Sequence, residues 1–199
     1  MRPTRRGSAL VTAAMIAILL TACTSGAGRP VPARQDGSST SSGTAGAAAA
    51  LDCGSFIGAN VRAAPLQVVL GVVALPASPG SPALQTSLSG DGNGPLRLFA
   101  KAGLVIRPGS TFELIVPARF ASRLRIGWGA PGTPSHRVLV GDCAGTGGGG
   151  WLAYAGGYWI DHPACVPVIV KAGGKQQQVH IGVGTACPGQ RPPQGPSQS

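Results

Sequence analysis

Five cysteines, three histidines and a few serines and carboxylates are the residues of this 199-residue chain that could do chemistry. A hydrolase needs a nucleophile, a base and a group that orients the base. Two adjacent pairs offer a beginning, Ser135-His136 and Asp161-His162. Neighbours on a strand point to opposite faces, so adjacency alone does not make them partners. His136, His162 and His180 lie far apart in sequence, and they read as surface histidines rather than as metal ligands. Gly90 to Gly94 has two oxygen side chains, Asp91 and Asn93, but no acid where a calcium loop closes. No Gly-x-Ser-x-Gly, His-Glu-x-x-His or P-loop pattern occurs, and no Cys-x-x-Cys. The sequence assigns no catalytic residue, no metal and no cofactor.

One cysteine stands apart from the others. Leu20-Thr21-Ala22-Cys23 closes a basic head (Arg2, Arg5, Arg6) and an apolar run from Ala9 to Leu20 broken only by Thr12. A charged n-region, a short apolar stretch and small residues at the cut describe a secretory signal. As a helix the run would cover about 18 Å, short of the roughly 30 Å hydrocarbon core. The tetrapeptide resembles the bacterial lipobox. That resemblance implies a diacylglyceryl thioether on the Cys23 sulfur, cleavage between Ala22 and Cys23, and acylation of the freed amine. The alternative is an ordinary signal peptide in which Cys23 is incidental. The chain then divides into a signal peptide (1–22), a lipidated cysteine with a disordered linker (23–50), a folded domain (51–187) and a disordered tail (188–199). The domain is expected outside the cytoplasm, held to the outer face of the cell membrane through Cys23.

Cys53, Cys143, Cys165 and Cys187 remain, an even set for an oxidising compartment, so two disulfides are expected. Charge bears on partners. The formal +10 falls to +7 once Arg2, Arg5 and Arg6 leave, with 13 basic against 6 acidic residues. Such an excess favours anionic lipid heads or wall polymers. No block of basic residues suggests nucleic acid. The expected partners are the membrane, through the anchor, and an envelope protein or an anionic wall polymer.

The elements that must position these residues are strands. Residues 24–50 are small, polar and aperiodic, and read as a tether of roughly 30 Å mean reach; the alanines at 47–50 could begin a helical turn. Leu66 to Leu75 is apolar on both faces, as in a central strand. A weaker strand runs near Leu84 to Leu88. Leu96 to Ala100 and Gly103 to Ile106 are two strands, or one bent at 101–103. Phe112, Leu114 and Val116 share one face of the next strand. Leu124, Ile126 and Trp128 face inward on another, with Arg123 and Arg125 outward. Centring a hairpin on Gly173-Gly174 sets Val168 opposite Val179, Val166 opposite Ile181 and Pro167 opposite His180. In that register Cys165 lies opposite Gly182, about 16 Å short of Cys187 along an extended strand. Disulfide Cα atoms must lie within about 7 Å, which disfavours Cys165–Cys187 unless the chain doubles back. Of the remaining pairings, Cys143–Cys165 with Cys53–Cys187 is preferred. Some eight to ten strands and no amphipathic helix predict an all-β fold, an antiparallel two-sheet sandwich of immunoglobulin-like type. A closed β-barrel is the alternative.

Two features could form a binding surface. Trp151, Tyr154, Tyr158 and Trp159 cluster beside glycines, where exposed rings could stack on sugars or grip a partner; otherwise alternate members fill the core. Arg119, Arg123, Arg125 and Arg137 could form a basic strip.

Three segments complete the reading: Lys101-Ala102-Gly103-Leu104-Val105-Ile106-Arg107-Pro108-Gly109; Leu124-Arg125-Ile126-Gly127-Trp128-Gly129; and Ala155-Gly156-Gly157-Tyr158-Trp159 with Pro163-Ala164-Cys165-Val166-Pro167 and Val183-Gly184-Thr185-Ala186-Cys187. Together they resemble uncharacterised exported and lipid-anchored proteins of actinobacteria. That family carries no established activity, so the resemblance implies export and the domain limits but no site residues. The expectation is a lipid-anchored envelope protein acting as a non-catalytic binding or scaffolding module. The alternatives are an envelope hydrolase with an unrecognised active site and an accessory subunit of a membrane complex docking through residues 151–159.

Overall fold

The computed structural model describes residues 48–90 and 94–195. The signal peptide, Cys23 and most of the linker lie outside the described residues, as do 91–93 and the last four. Fourteen strands follow in chain order. The first seven are β1 (Ala49–Ala50), β2 (Phe56–Val61), β3 (Gln67–Val69), β4 (Val73–Leu75), β5 (Ser87–Leu88), β6 (Leu98–Lys101) and β7 (Leu104–Ile106). The rest are β8 (Phe112–Ile115), β9 (Leu124–Trp128), β10 (Arg137–Val140), β11 (Trp151–Tyr154), β12 (Gly156–Ile160), β13 (Ala164–Ala172) and β14 (Lys175–Val183). Among the described residues two short 3-10 turns interrupt them, at Cys53–Ser55 and Ala118–Phe120.

The expected all-β, largely antiparallel sandwich is present, and among the described residues no sheet closes into a barrel. There are three sheets rather than two: β1-β10-β8-β13-β14, β2-β11-β7-β4-β3 and β5-β6-β12-β9. The third arises because two stretches change sheet midway. At Ala102 the chain leaves β6 in the third sheet and enters β7 in the second; at Ala155 it leaves β11 in the second and enters β12 in the third. These bends are pinned to one another. The Ala102 N–H donates to Gly156 O at 2.9 Å, the Trp128 indole N–H donates to Ala102 O at 2.8 Å, and the Gly129 N–H donates to Ala155 O at 2.9 Å. Strands that bend from one sheet into another are how sandwich corners are built. The core takes Leu104, Ile106 and Tyr154 from the second sheet, Leu124, Ile126 and Tyr158 from the third, and Leu114, Val168 and Ile181 from the first.

The last hairpin has the expected register, with Val168 opposite Val179, Val166 opposite Ile181 and Pro167 opposite His180. Its buried face is Val166, Val168, Val170, Val179, Ile181 and Val183. Phe112, Leu114 and Val116 are buried together, as are Leu124, Ile126 and Trp128.

Several expectations are corrected. Leu66 to Leu75 is not one central strand but the hairpin β3–β4 at a sheet edge, with Val69 opposite Val73. Leu70 and Gly71 turn it with φ of 48° and 73°, a left-handed pair that hydrophobicity does not announce. The alanines before Leu51 form no helical turn. Ala49–Ala50 is a strand running parallel to β10, so the domain begins inside the expected linker. At the other end, Gln190 and Arg191 are held in place. The Gln190 amide donates to Pro76 O and Ser81 Oγ, and Arg191 Nε donates to Gly80 O at 2.7 Å.

The disulfides are Cys53–Cys143 and Cys165–Cys187, not the preferred Cys143–Cys165 and Cys53–Cys187. The parallel pairing of β1 with β10 sets partners 89 positions apart (Ala49 with Val138), which delivers Cys53 next to Cys143 with Cα atoms 5.2 Å apart. Cys187 reaches Cys165 because the chain does double back, through Gly184 at φ 71°. The Gln190 side-chain oxygen holds the reversal by accepting from the N–H groups of Gly182 and Cys187 at 3.0 and 3.3 Å. Both disulfides indicate an oxidising, extracytoplasmic environment.

Candidate functional site

Alternation along the strands of the third sheet sends one set of side chains into the core and the other outward. Leu124, Ile126, Tyr158, Ile160 and Ala100 are buried, while Phe99, Arg125 and Trp159 are half-buried on the opposite face. Register aligns the outward set across the sheet. Trp159 pairs with Phe99 on one side and Arg125 on the other, and Phe99 pairs with Ser87. The result is a cross-strand row, Ser87–Phe99–Trp159–Arg125, in which the Phe99 and Trp159 rings lie 4.7 Å apart at 44°.

Glycines form the next row. Gly157 pairs with Lys101 and with Gly127. A Cβ on Gly157 would stand 2.0 Å from Ala100 O and 2.9 Å from Phe99 Cε2, so Phe99 lies where a side chain would otherwise be. A Cβ on Gly127 would stand 2.7 Å from Gly132 O and 2.8 Å from Thr133 O, because the 129–135 loop crosses it. Beyond Trp159 the face ends on Asp161, whose N–H donates to Arg123 O at 3.2 Å.

This face is basic. Arg97, Lys101, Arg123 and Arg125 stand on it against one described carboxylate, Asp161. Arg123 Nε bonds to Asp161 Oδ2 at 3.1 Å, so that cation is already matched. Arg125 is not. Its Nη1 donates to the carbonyls of Ala121 and Leu124, and among the described residues no carboxylate meets it. Partial burial lowers the Arg125 pKa, the mark of a guanidinium short of solvation. A cavity of about 560 Å³ opens beside this row, lined by Leu88, Pro95, Arg97, Arg125, Pro134 and Trp159 among others.

The expected site residues are dispersed. Tyr154 and Tyr158 are core residues, Tyr158 edge-on to Trp128 at 5.4 Å and Tyr154 donating to Cys53 O at 3.2 Å. Burial raises both phenol pKa values, with Asp52 adding to the shift at Tyr154. Trp151 is half-buried but belongs to the second sheet, where Arg107 lies 5.2 Å over its ring. Residues 151–159 therefore present no single docking surface. Arg119 sits over Phe120 in the second 3-10 turn. Arg137 lies on the first sheet and makes a forked ion pair with Glu113 at 2.7 to 3.1 Å, which lowers the Glu113 pKa chiefly through these bonds. The structure thus joins Trp159 to Arg123 and Arg125, and adds Phe99, Arg97 and Lys101, which sequence reasoning missed. Their signal was present: Arg97, Phe99 and Lys101 alternate with Leu98 and Ala100.

The hydrolase candidates are engaged elsewhere. Ser135 is buried, its hydroxyl donating to Arg137 O at 3.0 Å and accepting from the Arg137 N–H at 3.2 Å. His136 Nε2 donates to Ala121 O at 2.6 Å. His162 lies 3.0 Å from Asp161 Oδ1, but the Arg123 guanidinium stands against its ring nitrogens, including the one a base would turn toward a nucleophile. Among the described residues no three His, Cys, Asp or Glu side chains gather to hold a metal. Neither a family model, nor a curated protein, nor a solved structure matches the chain, so the functional reading rests on the basic, aromatic face of the third sheet.

Proposed function

We propose that this is a lipid-anchored domain on the outer face of the cell membrane, of the exported actinobacterial type, which binds a ligand on the third sheet and performs no catalysis. The cysteine inventory carries the anchoring. Four of the five cysteines close on one another within the domain, and the fifth is Cys23, behind a basic head and an apolar run. That leaves one cysteine outside the disulfide set, and thioether lipidation is the use its setting suits. Binding is favoured by a sheet face that keeps an arginine and a tryptophan half-exposed beside a cavity, with the Ser135 and His162 sites engaged in bonds of their own.

The anchor is tested by fractionating cells that express the full chain and its Cys23→Ala variant. The native chain is expected in the membrane fraction, starting at residue 23 with a mass raised by acyl chains. Cys23→Ala should be recovered without acylation. A native protein with a free Cys23 thiol, or with residues 1–22 attached, overturns the proposal.

A further inference from the structure

The cavity beside Trp159 has a chemistry specific enough to name its ligand. Its volume of about 560 Å³ falls within the range of small-molecule sites. Its apolar walls are Leu88, Pro95, Pro134 and Trp159, and Leu88 is 81% exposed, the most open large hydrophobic residue of the described domain. Its charged groups are two arginines, Arg97 and Arg125, and no described lining residue is acidic. Two cations with no acid among the described lining residues, next to a half-buried indole, complement an anion that also has an apolar face.

The arginines are suited to hold such a group. Arg125 is fixed through Nη1 by two backbone carbonyls, which leaves Nε and Nη2 without a described partner. That edge of a guanidinium matches the two oxygens of a carboxylate or phosphate. Arg123 and Arg137 hold acids already; among the described residues no acid meets Arg125 or Arg97. Trp159 packs against the Phe99 ring and pairs in register with Arg125, so ring and guanidinium stand in one row. Ser122 adds a hydroxyl to the lining, a partner for ring hydroxyls.

We propose that this cavity binds an acidic sugar, with the apolar face of the ring on Trp159 and its carboxylate or phosphate held by Arg125 and Arg97. The inference deepens the binding-module reading and rests on it, but not on the anchor.

The test is a titration of the nitrogen-15-labelled full chain, purified with both disulfides closed and followed through its three indole N–H signals. Trp159→Phe identifies the Trp159 signal by removing it. Glucuronate and glucose 6-phosphate should move the Trp159 signal and leave those of Trp128 and Trp151 in place. Half-saturation should come at concentrations at least tenfold lower than with glucose or inorganic phosphate. Arg125→Gln and Arg97→Gln should each weaken binding of both acidic sugars fivefold or more; Arg97 is exposed, so that variant tests the idea even where Arg125→Gln disturbs the fold. A Trp159 signal unmoved by both acidic sugars, equal binding of glucose or inorganic phosphate, or unchanged binding by Arg97→Gln overturns the proposal. A silent titration alongside an acylated Cys23 removes the ligand and leaves the anchor; the reverse pair of results does the opposite.

Discussion

The disulfide connectivity makes a prediction that needs only protein chemistry. Cleavage after Lys and Arg, except before Pro, places Cys53 in the peptide 35–62, Cys143 and Cys165 together in 138–171, and Cys187 in 176–199. With Cys53–Cys143 and Cys165–Cys187 closed, a non-reducing digest must yield these three peptides as one bridged assembly. The pairing favoured by sequence alone would instead release 138–171 with an internal bridge and join 35–62 to 176–199. A further cut at the aromatic residues 151–159 separates Cys143 from Cys165 and distinguishes the observed pairing from the third. The bonds also differ in what they close, 90 residues against 22. Chain entropy assigns about 4.6 kcal/mol to the first loop and about 3.4 kcal/mol to the second. In urea unfolding, Cys53→Ala/Cys143→Ala should therefore lose about 1 kcal/mol more than Cys165→Ala/Cys187→Ala. Release of 138–171 on its own would refute the connectivity. A larger loss from the 22-residue bridge would refute the entropic argument.

Two further substitutions probe how the candidate face is built. Gly157→Ala should cost about 3 kcal/mol, at the upper end of overpacking effects, because its Cβ would enter Ala100 O and the Phe99 ring. Gly141→Ala, with nothing within 4 Å of its Cβ, should stay within about 0.5 kcal/mol by the same urea assay; equal stability of the two variants would contradict the packing described. The Tyr158 hydroxyl is fully buried and has no hydrogen-bond partner among the described residues, so Tyr158→Phe should be neutral or stabilising by about 1 kcal/mol. A loss above 1 kcal/mol would show that the hydroxyl is bonded.

What the sequence reveals and what it hides follow from the range of the interactions. The last hairpin was legible because its turn is local and Val166, Val168, Val179 and Ile181 leave one register that keeps them together. The β3–β4 hairpin was not, since Leu70 adopts a positive φ that its side chain does not advertise. The disulfides were misread for two reasons. A two-residue strand of alanines carries no periodicity, yet its pairing with β10 fixes where Cys53 goes. The reversal that returns Cys187 to Cys165 is held by the side chain of Gln190, in a segment whose composition reads as tail. Alternation does separate Tyr154 and Tyr158 from Trp151 and Trp159, two inward and two outward. It cannot say that the outward pair belongs to different sheets.

The change of sheet at Ala155 is what makes the face possible. An unbent strand from Trp151 to Ile160 would keep Trp151 and Trp159 on one continuous surface, flanked by whatever strands paired along its length. The bend hands Trp159 to new neighbours, β6 and β9. Those two strands supply Phe99 and Arg125 in the same row, with Arg97 and Arg123 one row beyond. The matching bend at Ala102 lets β6 do this while β7 stays beside β11 in the second sheet. Gly156 and Gly157 sit where a side chain would collide with Gly127 O and Ala100 O, at 2.1 and 2.0 Å from their built Cβ positions. The glycines that let the strands close up at this corner thus also clear the floor on which Phe99 lies, and Phe99 in turn supports Trp159. Fold and candidate site share these residues, which is why a change at Gly157 should disturb both stability and the Trp159 signal, whereas a change at Arg97 should alter binding alone.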